Sequence, residues 1–390
     1  MNNGGKIILE PRKFVAPEYI FGIDTRKMAA NYCQKLGAKK VLLVTDNGII
    51  NTPWFPELEQ DLQELKISYV VFSSVTPNPR DYEVMEGTQF YKEHKCNLIL
   101  AIGGGSVIDC AKGIGIVSTN QKHIQAYEGI DMIDYPIPPL VCIPTTGGTS
   151  ADVSQFAIIN NTSEKYKMAI ISKALVPDVA LIDPVVLTSM DSYLSACTGM
   201  DALSHAFEAF VSNASSAFTD LYALEAIKLL SNNLLMNIQK PDDIDVRANI
   251  MLASLYAGLA FSNASLGCVH SLSHSLGGYL DLPHGECNAI MLSHVVDFNY
   301  NHANERYKKI AETIGLNVSG LTENQIKKLL INYLTALRNS LNINSTLRNK
   351  GVKPDITPTL AGKAIHDPCN ATNPRVPKKE DLEALYKEAI

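Results

Sequence analysis

Five residues in the second half of the chain have the types and spacing to hold a metal ion: Asp201, His205, His270, His274 and His284. Asp201 and His205 stand four apart, and so do His270 and His274. On a helix that spacing puts both side chains of a pair on one face, where they can converge on one ion. His284 follows in Leu282-Pro283-His284-Gly285, which reads as a turn that brings its imidazole back towards the same point. One carboxylate with three imidazoles is a mixed oxygen and nitrogen set suited to Fe(II), Zn(II) or another first-row divalent ion. No cysteine spacing of a structural zinc site accompanies it. Such an ion polarises an alcohol or carbonyl oxygen as a Lewis acid. The neighbours of these residues, Ala202 to Phe210 and Leu272, Leu276 and Gly277, are largely apolar, and polar groups buried among them need a partner that an ion supplies. His294 falls on a new helix beyond the Pro-His-Gly turn and stays outside the group.

A second kind of chemistry is written around residue 104. The apolar run Asn97 to Ile102 leads into Gly103-Gly104-Gly105-Ser106, and Val107 to Gly115 continues as a helix with Asp109 and Lys112 on its first turns. Glycines let the backbone approach a pyrophosphate, and the free N–H groups and dipole of the helix favour the anion. The spacing departs from GxGxxG, and a tight structural turn is the competing reading. The small-residue run Pro144 to Ser150 closes the next strand and lines the same crevice at the carboxyl ends of the sheet. Asp46, which ends the run Lys39 to Thr45, can accept hydrogen bonds from a ribose diol and repel a 2′-phosphate, favouring NAD over NADP. A turn-forming aspartate before Asn47-Gly48 is the alternative.

The elements that must position these residues divide the chain in two. Short β-branched runs at Lys39 to Thr45, Ile67 to Phe72, Leu98 to Ile102, Leu140 to Ile143, Phe156 to Ile159, Met168 to Ile171 and Val179 to Ile182 read as strands. Helical periodicity at 26–36, 57–66, 81–94 and 106–118 alternates with them, which predicts a doubly wound α/β fold with a mostly parallel sheet. After Asp183-Pro184 the stretches 191–212, 217–237, 244–265, 267–279 and 303–313 read as helices. The expected domains are 1–185, which binds a dinucleotide, and 186–390, which is all-helical and binds the metal.

At 390 residues the chain suits two domains, and 40 acidic against 34 basic residues give a net charge of -6. That balance lacks the basic stripe that nucleic acid or an anionic membrane requires. Eight scattered cysteines without a CxxC pair point to a reducing compartment. Met1 to Lys13 has no apolar leader core, and no run reaches membrane-spanning length, so a cytoplasmic protein without a membrane partner is expected.

Gly103-Gly104-Gly105-Ser106-x-x-Asp109-x-x-Lys112, Pro144-Thr145-Thr146-x-Gly148-Thr149, Gly199-x-Asp201-Ala202-x-x-His205 and His270-x-x-x-His274 through Pro283-His284-Gly285 occur in this order. With Pro77-Asn78-Pro79 and Asn373-Pro374-Arg375, the set resembles the iron-containing, or group III, alcohol dehydrogenases over nearly the whole chain. The resemblance implies a dehydroquinate synthase-like two-domain fold, with iron at Asp201, His205, His270 and His284, and His274 beside the substrate as the proton relay. It implies a pyrophosphate loop at Gly104, Gly105 and Ser106 with Asp109 on the helix that follows, Asp46 disfavouring NADP, and Asn78, Thr145, Thr146, Thr149 and Lys167 touching the nucleotide. It also implies a small primary alcohol or its aldehyde as substrate, and a homodimer or higher homo-oligomer. Many members carry Glu where this chain has Asp152, and Gly148 to Ser154 resembles a subgroup of alcohol-dehydrogenase-like regulatory proteins. A sensing protein of that kind and a dehydroquinate synthase-like lyase are the alternatives. The lyase needs several basic residues for a charged substrate, and of these only Arg247 lies near the metal-bearing helices.

Overall fold

The structure, a computed structural model, describes residues 13–390, so the reading of Met1 to Lys13 as lacking a leader falls outside the described residues except at Lys13. Nine strands are present among the described residues: β1 (Glu18–Phe21), β2 (Lys40–Val44), β3 (Ser68–Phe72), β4 (Leu98–Gly103), β5 (Gly129–Ile130), β6 (Leu140–Pro144), β7 (Phe156–Asn161), β8 (Tyr166–Ile171) and β9 (Val179–Ile182). Six form one sheet in the order β1-β9-β6-β4-β2-β3, and every neighbouring pair is parallel. Its strands are apolar at nearly every position because helices cover both faces. Leu42, Val44, Ile99, Ala101 and Cys142 pack to one side, and Val41, Leu43, Leu98, Leu100 and Val141 to the other. The helices of this half are α1 (Ala29–Lys35), α2 (Asn47–Ile50), α3 (Trp54–Glu64), α4 (Asp81–Glu93) and α5 (Gly105–Asn120). Val84, Ile108 and Ile114 of α4 and α5 fill the first layer, and Ala29, Cys33, Leu58 and Leu62 of α1 and α3 fill the second.

Two strand expectations change. Phe156 to Ile159 and Met168 to Ile171 do not join the large sheet. They lie in β7 and β8, which pair antiparallel in a separate three-stranded sheet with β5. The reason is length: only residues 162–165 connect them, whereas a parallel pair needs a crossover of about a dozen residues or more. The four-residue β1 was not expected at all. It has no fully buried position to set a pattern, and it takes its place by pairing with β9 at the sheet edge.

After β9 the described chain holds no strand. Helices α6 (Ser192–Val211), α7 (Ala217–Gln239), α8 (Ile244–Ala264), α9 (Cys268–Leu280), α10 (His284–Asn299), α11 (Asn304–Thr313), α12 (Glu323–Ser340), α13 (Thr357–Ala364) and α14 (Lys379–Glu388) follow. Of these α8 alone, among the described residues, is long and apolar enough to cross a membrane, and 67% of its most apolar window is buried inside the fold. It packs on α6 and α7 around one large core that also takes in Val153, Phe156, Ala180 and Ile182 from the first half. Asp183 ties the halves at the seam. Its Oδ1 accepts from Val185 N–H, and its Oδ2 lies 2.6 Å from the Arg26 guanidinium.

Candidate active site

Three helices each present a pair of polar side chains at a four-residue spacing. These are Asp201 and His205 on α6, His270 and His274 on α9, and His284 and Asn288 on α10. His284 is therefore not part of a turn, as the sequence reading had it. The turn closes at Pro283, and His284 is the first residue of α10. A Cβ at the next residue, Gly285, would stand 2.3 Å from the Cys197 carbonyl oxygen, so only glycine lets α10 start against α6 and bring His284 to Asp201.

The Nε2 atoms of His205, His270 and His284 stand 3.7, 3.7 and 3.6 Å from a single oxygen, Asp201 Oδ1. Donors bound to one first-row ion in a tetrahedral array are about 3.5 Å apart; the donor atoms of Asp201, His270 and His284 all lie within 4.8 Å of one another, as a shared cation requires, and His205 meets this group at Asp201. The outer nitrogens of His205 and His270 are held too, while His284 Nδ1 is buried without a partner. Glu208 accepts from His270 Nδ1 at 2.6 Å and from the Val269 N–H at 2.6 Å, and the Gly148 carbonyl lies 3.2 Å from His205 Nδ1. Partners of this kind set the tautomer that leaves Nε2 free for a metal. His205 is stacked between Phe261 and His270, with ring centroids 4.3 and 4.5 Å away. Asn288 donates to Asp201 Oδ1 at 2.6 Å, while its own Oδ1 is buried without a partner.

The electrostatics suit a cation. Burial opposes ionisation of Asp201, but the surrounding imidazoles hold its carboxyl below the usual carboxylate range. Burial pushes His205 down to about 4 and lowers His284. His270 stands apart: Glu208 and Asp201 outweigh its burial and raise it to about 9.

The dinucleotide features gather at one edge of the sheet. Asp46, Gly104 and Thr145 follow β2, β4 and β6, which are adjacent and parallel, so all three sit at the strands' carboxyl ends. The chain reverses its winding between β2 and β4, with α3 on one face and α5 on the other, which is where open α/β sheets bind ligands. Gly104 caps α5 with no side-chain bond, leaving its first N–H groups to an anion. Cβ atoms on Gly104 and Gly105 would come within 3.1 Å of Thr146 and 2.7 Å of Thr149, so the glycine loop lies directly on the threonine loop. The Ser106 hydroxyl accepts from the Asn78 N–H at 3.2 Å, keeping its own proton for a ligand.

One cavity joins both sets. Asn78, Gly105, Ser106, Asp109, Thr149 and Lys167 line one side, Asp201, His205, His270, His274 and His284 the other, with Phe156, Phe261 and Leu266 between. Asp46, Gly104, Thr145 and Thr146 do not border it. Asp46 Oδ1 accepts from the Ile49 N–H at 2.9 Å as the cap of α2, the turn-forming role that competed with ribose binding, and its second oxygen has no bond to α2. Burial raises the Asp109 carboxyl to about 7 against the pull of Lys112 and Lys167, and burial lowers the Lys167 ammonium. Lys112 is away from the cleft: fully buried, it donates to the Ser154 and Phe156 carbonyls and fastens α5 to β7. Asp152, the departure from Glu, is buried beside Lys112 and is pushed up to about 6 by burial, outside the cavity wall. Cys268 and Cys369 are buried in the helical core.

Sequence reasoning missed Glu208, Asn288 and Asp367. Glu208 falls seven residues after Asp201 on the same helix face, a signal that was legible. Asn288 becomes so only once α10 begins at His284. Asp367, whose Oδ2 lies 2.7 Å from His274 Nδ1 across 93 positions of sequence, leaves no local trace.

The same arrangement is found elsewhere. Residues 16–184 match the family described as iron-containing alcohol dehydrogenase, and residues 195–390 match the C-terminal part of the Fe-containing alcohol dehydrogenase family. The chain is 37% identical over 372 residues to 1,3-propanediol dehydrogenase of Klebsiella pneumoniae, covering 95% of this chain and 96% of that one. It is 36% identical over 377 residues to the NAD-dependent methanol dehydrogenase of Bacillus methanolicus, covering 97% and 99%. The crystal structure of a 1,3-propanediol oxidoreductase superposes with a TM-score of 0.94 at 36% identity, over 98% of this chain and all of that one. With both halves matched along their length, the chain belongs to the iron-containing alcohol dehydrogenase family.

Proposed function

We propose that this protein interconverts a small primary alcohol and its aldehyde with NAD(H), using iron(II) held by Asp201, His205, His270 and His284. The observation that carries this reading is the single cavity in which the glycine loop and the four-residue cluster face each other. Bound together, the nicotinamide would take or give the hydride and the ion would polarise the substrate oxygen. The residues of this chain do the rest. The loop 104–106 with Asn78, Asp109, Thr145, Thr146, Thr149 and Lys167 seats the nucleotide, and Asp46 discriminates against a 2′-phosphate. Phe156, Phe261 and Leu266 give the cavity an apolar wall that suits a short carbon chain and excludes water from the reacting carbon. His274 holds or accepts the hydroxyl proton. Lys167 is the one cation lining the cavity among the described residues, and Arg247 is turned away to Pro241, Ser195 and Asn237. A weakly charged substrate fits that wall better than a phosphorylated one.

The working unit is a cytoplasmic homodimer or a multiple of it, with 1–185 as the cofactor domain and 186–390 as the metal domain. Eight buried thiols without a disulfide support a reducing compartment. An exposed apolar cluster of Phe14, Phe218 and Leu221 supports self-association, which sedimentation would measure.

The decisive experiment is an anaerobic assay of the iron-loaded enzyme with C2 to C4 alcohols and aldehydes, using NAD(H) and NADP(H). Net NADH consumption with an aldehyde is expected. Cofactor and metal binding without turnover on any of them would favour the sensing alternative.

A further inference from the structure

A second cavity lies behind the first, and Lys167 and His274 form the wall between them. It opens among β8, α9, α13 and the turn at 366–368, so His274 borders the metal cavity on one side and this chamber on the other. The ring is buried, and its Nδ1 lies 2.7 Å from Asp367 Oδ2, itself on the chamber wall. The other oxygen of Asp367 accepts from the Cys369 N–H at 2.8 Å and caps the helical turn Pro368–Thr372, so the carboxylate cannot swing away freely. An ionised carboxylate only accepts hydrogen bonds, so Nδ1 must carry the ring proton and Nε2 must present a lone pair. No protein group among the described residues makes a hydrogen bond to that Nε2.

We propose that Asp367 is a positioning residue for the dehydrogenase reaction: it fixes His274 in the Nδ1–H form, so that Nε2 is the base for the substrate hydroxyl. This rests on the function proposed above. In the oxidative direction bound NAD would accept the hydride released from the carbinol C–H bond, becoming NADH. The O–H bond breaks as its proton forms an N–H bond at His274 Nε2. The imidazolium, stabilised by Asp367, returns to the neutral Nδ1–H ring by giving its Nε2 proton to water that enters the first cavity once the aldehyde has left. The products are aldehyde, NADH and one hydronium ion, and the aldehyde reduction runs the same path in reverse.

A merely structural pair would anchor α9 to the 366–372 turn and do nothing more. Asp367→Asn separates the two roles, because the amide keeps the shape and the acceptor for Cys369 but turns a donor towards Nδ1, which drives the ring proton to Nε2. The expected result is a loss of about 100-fold in kcat, with KM changed less than about 3-fold and with metal content and NADH affinity unchanged. Asp367→Glu should recover part of the rate. In a His274→Ala background the Asp367→Asn change should cost nothing further, since the two act as one unit. Asp367→Asn at the wild-type rate, or an equal cost of that change in both backgrounds, would overturn the proposal. A variant that fails to fold leaves the decision to 15N-histidine NMR of the zinc-loaded wild type: a proton on Nδ1 of His274 supports the assignment and a proton on Nε2 refutes it. Absence of wild-type turnover with every alcohol counts against the dehydrogenase reading itself, whereas a fully active wild type with an Nε2–H ring sinks only the role of Asp367.

Discussion

The Asn78 side-chain amide donates to Asp281 Oδ1 at 2.9 Å, joining a loop of the cofactor half to the corner that begins α10. Arg80 reinforces the bond from the same loop, with Nη2 2.9 Å from Asp281 Oδ2. Asp281 stands three residues before His284, and the Asn78 N–H is bound to Ser106 of the glycine loop. The glycine loop and the corner before His284 are therefore linked through Asn78 by two hydrogen bonds, of 3.2 and 2.9 Å.

Asn78→Ala should break that connection. Asn78 has φ 57, a left-handed conformation that asparagine tolerates better than alanine, so the change removes the bond and adds backbone strain. Losing this part-buried hydrogen bond, whose acceptor Asp281 is 55% exposed, costs about 1 kcal/mol, so NADH should bind about fivefold more weakly and metal should escape to a chelator faster. Fluorescence titration and timed metal release test the two effects, and unchanged metal release would show that the clasp does not couple them.

Glu208→Gln should weaken metal binding by about 10–100-fold while leaving the fold intact. Glutamine still accepts from the Val269 N–H but no longer places a full negative charge on His270 Nδ1. Metal content after dialysis against a graded chelator series measures the shift, and wild-type retention would remove Glu208 from the metal's supporting shell.

NADH affinity should fall as pH rises through about 7, the value to which burial raises Asp109. The sign follows from charge: below that pH the neutral carboxyl faces the bound pyrophosphate without repulsion, and above it the carboxylate opposes the anion. The slope should approach, but not exceed, about tenfold per pH unit above the transition. Asp109→Asn should flatten the profile between pH 5.5 and 8.5, and an equally steep variant would place the titrating group elsewhere.

Gly285→Ala should reduce both stability and metal content, because its Cβ would press on the Cys197 carbonyl and neither helix backbone can yield cheaply. Overpacking of this kind costs about 1–3 kcal/mol. Gly362→Ala is the control: it has no neighbour closer than Lys379 Nζ at 3.6 Å and should be near neutral. Denaturant melts with parallel metal analysis distinguish the two.

Local patterning carried much of this reading. The apolar runs of β2, β4, β6 and β9 are buried on both faces and announce themselves as parallel strands. The four-residue spacings Asp201/His205 and His270/His274 need only a helix to be meaningful. Where the pattern misled, the competing physics can be named. β7 and β8 look like core strands, but their short connection makes them a hairpin. His284 sits in a Pro/Gly context that resembles a loop, although a helix N-terminus after proline has the same composition.

The residue types, their spacing on each helix and the glycine loop's place after a buried strand are properties of short segments, so the sequence alone determined the fold class, the candidate metal donors and the candidate cofactor loop. Tertiary structure alone decided which oxygen the three imidazoles share, that Lys112 is a fastening and Asp109 a cleft residue, and that Asp367 reaches His274. Those relationships join segments tens to hundreds of residues apart. Hydrogen-bond distance between them is set by how helices and sheet pack, which no local periodicity encodes.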